Sequence, residues 1–192
     1  GKMASASASV RMLTEAVNGS CTPKDLETML QLTYLSFTAP RKDQAAFESY
    51  KTRLKAQLAN MNANPNKALS DSISMALYGN NPRNLFMTPE MVDQIDYDRI
   101  MELYKDRFKD ASDFTFILVG NIDQATAVPL IEKYLGSLPA IHREENFTEK
   151  MAIRKGQYKN VFHKELQTEK ATVFIVRNGQ CEYTLKNRLM MS

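Results

Sequence analysis

Small apolar residues and serines alternate over residues 3–10, MASASASV. That period of two predicts a half-exposed strand, whose successive side chains point to opposite faces. Residues 13–18 read as a second short strand closed by Gly19-Ser20. The period then changes. Thr22-Pro23-Lys24-Asp25 has the form of a helix start, with Thr22 as N-cap, Pro23 first in the helix and Asp25 favoured by the helix dipole. Leu26, Met29, Leu30, Thr33, Tyr34 and Phe37 follow at helical spacing, and Leu32 and Leu35 widen the stripe. This helix is expected to be largely buried.

Ala39-Pro40 ends it, and Asp43 is placed to cap a second helix with Phe47, Tyr50, Leu54 and Leu58 on its apolar face. Asn64-Pro65 starts a third helix, with Leu69, Ile73, Ala76 and Leu77 facing in. Asp96 caps a further one carrying Tyr97, Ile100, Met101, Tyr104 and Phe108 on one side. Residues 114–119, FTFILV, form an unbroken apolar run between Asp113 and Gly120. At that length the run predicts a buried central strand. Asp123 caps a helix reaching about Leu135, where Gly136 stops it.

Residues 140–157 are polar and aperiodic and read as a linker, after which strand patterns resume at 158–166 and 171–177 and a helix begins near Thr184. Period-two segments toward both ends, with helices and an apolar strand between, predict an α/β fold: a two-layer sandwich of mostly antiparallel sheet packed with helices. The expected division is a first domain over 1–139, a linker over 140–157 and a second, incomplete domain over 158–192. The chain opens within a strand-like pattern, as a piece of a longer protein would.

Composition narrows the function. At 43% hydrophobic and 24% charged the chain is globular in character, and no apolar run is long enough for a transmembrane helix. A net charge of +3 without a basic motif argues against nucleic acid. The two cysteines, Cys21 and Cys181, share no metal or redox spacing and read as free thiols. His142 and His163 stand outside any paired-histidine motif and read as surface residues. Phosphate-cradling glycine loops and nucleophile-elbow motifs are absent from the sequence. Asp96/Asp98 and Glu144/Glu145 read as cap or surface residues, and the 11 methionines as core filling. The residues by themselves thus give a helix-rich α/β domain with neither a catalytic nor a cofactor or metal site.

The order of the pieces adds to this. The segment GSCTPKDLETMLQLTYLSFTAPRKDQAAFESYKTRLKAQLANMNANP, followed by DSISMALYGNNPRNLFMTPEMVDQIDYDRIMELYKDRFKDASDFTFILVGNIDQATAVPLIEKYLGSLP, resembles one repeat of the insulinase/pitrilysin-type zinc metallopeptidases. These include mitochondrial processing peptidases and many bacterial zinc proteases. Residues 158–192 resemble, more weakly, the opening of the next repeat.

The resemblance implies a larger protein in which related repeats form two halves around an enclosed chamber. One half binds zinc through H-x-x-E-H, whose glutamate is the general base, and a Glu on a later helix completes the site. That helix resembles residues 43–60 here, and the third-ligand position falls on Gln57, ten residues after Phe47 and eight before Pro65. A neutral amide is a poor zinc ligand, so the resemblance implies a non-catalytic repeat from the C-terminal half, with no metal of its own. Its expected partners are the other repeats of the same polypeptide and, in the parent, a peptide substrate. The H-x-x-E-H position would lie upstream of Gly1, and a substrate-holding Arg and Tyr beyond Ser192. By the same resemblance the expected location is a bacterial periplasm or cell envelope.

Overall fold

The computed structural model describes every residue except 63, 147, 164–170, 178, 180, 181, 191 and 192. Two strands come first, β1 (Ala4–Val10) and β2 (Glu15–Cys21). A short 3-10 turn over Pro23–Asp25 leads into α1 (Leu26–Thr38). There follow α2 (Gln44–Asn62), α3 (Pro65–Tyr78), α4 (Pro89–Asp93), α5 (Tyr97–Phe108), α6 (Gln124–Tyr134) and α7 (Leu185–Met190). This is the expected mixture of helices with antiparallel sheet. The chain forms two compact units, one of residues 1–52 and 93–147, the other of 53–92 and 148–192.

In the first unit β1 and β2 pair antiparallel, from Ala4 opposite Cys21 to Val10 opposite Glu15. β2 therefore runs straight through Gly19-Ser20, where the sequence predicted its end. The reason lies across the layer. A Cβ on Gly19 would meet Met29 Sδ at 2.8 Å, so glycine here seats the Met29 side chain rather than breaking the strand.

The start of α1 also departs from expectation. Thr22 does not cap with its side chain. Its hydroxyl donates instead to Asp25 Oδ2 at 2.8 Å, and the same oxygen accepts the Met3 N–H at 2.9 Å. Asp25 is buried, and these two donors with Lys2 hold its carboxyl below the ordinary carboxylate range, the Met3 amide contributing most.

Along α1 the predicted stripe is present: Leu26, Leu30, Thr33 and Phe37 are buried. Leu32 and Leu35, expected to widen it, are exposed. Leu26 and Leu30 pack with Ala127 of α6. Phe37 packs with Phe108 and Leu138, and the Phe37 and Phe108 rings meet edge to face at 5.4 Å. Such contact adds to the burial of apolar area that dominates this core. Polar ties join the same helices: Tyr134 donates to Glu27 Oε1 at 2.8 Å, and Tyr104 donates to the Ser36 carbonyl at 2.7 Å. The Tyr134 hydroxyl, with Lys133 beside it, lowers the pKa of Glu27.

The predicted caps hold. Asp43 Oδ1 accepts from the Ala46 N–H at 2.9 Å, Asp96 Oδ1 from Arg99 at 3.1 Å and Asp123 Oδ2 from Thr126 at 2.9 Å.

The run FTFILV is a correction. Residues 114–119 form no strand, and Ile117 and Val119 are 80% and 91% exposed. A strand exists only when a neighbour takes its backbone groups. Among the described residues no backbone hydrogen bond reaches residues 115–119.

In the second unit Asn64 caps α3, accepting the Asn66 N–H at 2.9 Å, with Pro65 in the first turn as predicted. Gly79 closes that helix at φ 61°, a conformation glycine adopts without strain. The Arg154 N–H donates to the Leu77 carbonyl at 2.8 Å, and the Asn81 side chain to the Lys150 carbonyl at 2.8 Å. Residues 158–163 and 171–177, expected as strands, form none and are exposed. The rest of the first of these segments, 164–166, lies outside the described residues. α7 starts where the sequence placed it, with Thr184 Oγ1 accepting the Asn187 N–H at 3.2 Å.

Candidate functional site

Gln57 lies on α2 with its side chain exposed, one residue before the buried Leu58. His142 and His163 are both exposed, and His142 has a left-handed backbone with φ 53°. Cys21 is a free, half-buried thiol at the end of β2, and Cys181 lies outside the described residues. Among the described residues no three His, Cys, Asp or Glu side chains are grouped to hold a metal ion. A tetrahedral zinc site needs three or four nitrogen, sulfur or carboxylate ligands. The donors present here do not fit zinc.

The paired carboxylates do structural work. Asp96 is a helix cap and Asp98 pairs with Lys42. Glu145 belongs to a charged cluster missed by sequence reasoning. Its carboxylate takes Arg107 and Arg143 together, the latter at 2.5 Å, while Arg143 Nη1 also reaches Asp106 Oδ2 at 3.2 Å and Arg107 reaches Glu15 at 3.4 Å. Arg107 holds the Glu145 carboxyl below its ordinary pKa.

Beside this cluster Asp110, 1% exposed, accepts the Ser112 hydroxyl at 2.6 Å and three backbone N–H groups. Those are Ser112 and Ile141, each at 3.0 Å, and Arg143 at 2.7 Å. The Ser112 hydroxyl, then the amides, drive its pKa far below the carboxylate range against the cost of burial. A carboxylate just after a helix and a polar stretch thirty residues on give no local signal of this contact.

The most open feature of the first unit is a cleft between β2 and the unpaired segment 114–120. It holds cavities of about 570 and 440 Å³. Leu26, Leu30 and Phe37 of α1 line the floor, and Cys21 and Asp123 stand at the larger cavity's wall. Nothing in it supplies a nucleophile with a base.

A helix-rich α/β domain with a catalytically silent surface agrees with what the chain resembles. The resemblance to the insulinase/pitrilysin-type peptidases is borne out: residues 94–186 match the peptidase M16 inactive domain. A protein of Arabidopsis thaliana described as zinc protease PQQL-like is 32% identical over 127 residues, 60% of this chain and 12% of that protein. Two solved structures share the fold. The periplasmic protease PqqL from Escherichia coli is 18% identical with a TM-score of 0.64, over 79% of this chain and 17% of that one. A mutant of the ferredoxin protease FusC, solved in complex with Arabidopsis ferredoxin, is 15% identical with a TM-score of 0.60, over 78% and 16%. The chain thus spans a small part of the length of these relatives. Among its described residues no helix is long and apolar enough to cross a membrane.

Proposed function

We propose that this chain is a non-catalytic, substrate-enclosing domain of a zinc-dependent metalloendopeptidase. Peptide hydrolysis in that enzyme would use zinc-activated water held by another domain of the same polypeptide. In this reading the domain forms part of a chamber wall, residues 140–157 link it onward and 158–192 open the following repeat. Its partners are the enzyme's other repeats and the peptide within the chamber. One observation carries the reading most directly. Gln57, neutral and exposed, stands on α2 at the position where the resemblance calls for a zinc-ligating glutamate. The match of 94–186 to an inactive domain supports the same assignment. A bacterial periplasmic location is proposed from the likeness to PqqL, described as periplasmic.

Elemental analysis tests this. Zinc in the complete gene product at one equivalent, with none in residues 1–192, is the expected result. Stoichiometric zinc in residues 1–192 alone would overturn the assignment of Gln57. A complete gene product without zinc or chelator-sensitive peptidase activity would overturn the enzyme and leave a catalytically dead scaffold of the same fold.

A further inference from the structure

The cleft beside β2 has the chemistry of an empty place in a sheet. β1 and β2 form a two-stranded sheet. A strand offers backbone groups to both sides, so the groups of β2 that point away from β1 face the cleft. Across it lie residues 115–119, extended and free of backbone hydrogen bonds among the described residues. Two rows of unpaired donors and acceptors therefore line opposite walls. Between them lie cavities of about 570 and 440 Å³ over an apolar floor of Leu26, Leu30 and Phe37.

A small molecule could satisfy a few of these groups at most. An extended main chain satisfies both walls along their whole length, and its alternating side chains place every second residue on the α1 floor. Filling the gap also explains FTFILV. With pairing on both sides and helices on one face, this run would become the buried strand its composition calls for. Unpaired, it leaves Ile117 and Val119 in water. An occupant hydrogen-bonded on both edges sits inside the sheet rather than at its rim. Such a position suits a permanent part of the same protein, and the relatives carry most of their length outside the region matched here.

We infer that the cleft receives a strand of six or seven residues, apolar on its α1 face, supplied by the same polypeptide from outside residues 1–192. This rests on the reading of the chain as one domain of a longer enzyme.

Hydrogen exchange followed by mass spectrometry tests it, on residues 1–192 and on the complete gene product at several concentrations. In residues 1–192 the amides of 115–119 are expected to exchange at nearly unstructured rates at every concentration. In the complete product they should slow by roughly 100-fold or more. Thiol labelling of Cys21, with Cys181→Ser present in both, should slow in parallel. Protection already present in dilute residues 1–192 would mean that β2 and 114–120 close on each other, and would overturn the inference. Protection that appears only as residues 1–192 dimerise would make a second copy the occupant, and would overturn it too. So would unprotected amides in the complete product, or a gene encoding only these 192 residues. Zinc content reads the enzyme assignment separately, because neither result depends on the cleft.

Discussion

The carboxylate of Asp110 accepts the backbone N–H of Arg143 across 2.7 Å. The two residues are 33 positions apart, and the bond fixes the polar segment after Pro139 to the end of α5. Since Asp110 is buried with four donors around it, its ionised form belongs to the folded state. Its folded pKa lies below the ordinary 3.8. A depressed carboxylate contributes stability that is fully present above the unfolded value and is lost as pH falls toward the folded one. Asp25, Glu27, Asp106, Asp123 and Glu145 are shifted the same way. Urea unfolding at successive pH values should therefore show a plateau above about pH 5 and a steady loss below about pH 4. Asp110→Asn should be less stable at neutral pH, and its deficit should shrink on the acid side. A deficit independent of pH would show that the charge of Asp110 is not what the fold uses.

Gly19 should tolerate no larger residue while Met29 remains. Gly19→Val places a branched side chain where Met29 Sδ would lie 2.8 Å from the Cβ. Overpacking of this kind costs about 1–3 kcal/mol. Met29→Ala opens the space, so the double variant should lose less than the sum of the two single losses. Thermal unfolding of the four proteins in a double-mutant cycle checks this. Additive losses would mean that the two side chains do not meet.

Asp96→Ala should remove the cap of α5 and cost about 1 kcal/mol. The loss should appear as faster exchange in the first turn of that helix. Loss of equal size in Asp98→Ala would be unexpected, because Asp98 makes a surface pair with Lys42, and such pairs contribute little.

These residues also mark how far the sequence could be read. Caps at Asp43, Asn64, Asp96 and Asp123 were legible because a cap is set by its own next three residues. The buried stripe of α1 was legible from its period, but Leu32 and Leu35 were not, because what lies opposite them is a tertiary matter. Gly19 misled for a related reason: glycine as a breaker is a local rule, whereas Met29 needs its missing Cβ from another element. FTFILV was readable as a strand in waiting, yet pairing is decided by the edge available to it. The Asp110 anchor and the Glu145 cluster join distant segments and left no spacing to find. Gln57 came from resemblance, since periodicity alone makes it one polar position among several on α2.

The ring cluster around Phe108 should be the least tolerant point of the first unit. Phe108 is 0% exposed and stacks on Tyr104 with centroids 4.6 Å apart. It also meets Phe37 at 5.4 Å and Phe114 at 5.7 Å. Truncating a buried phenylalanine removes its transfer free energy and leaves a cavity, about 3–5 kcal/mol in all. Phe108→Leu keeps most of the volume and should cost much less. Phe114 belongs to the segment that borders the cleft, so its own contribution should depend on that segment being held. In residues 1–192 alone, Phe114→Ala should cost less than Phe108→Ala, measured by urea unfolding. If the two costs are equal there, residues 114–119 are as firmly held as α5, and the open cleft described above is not the state in solution.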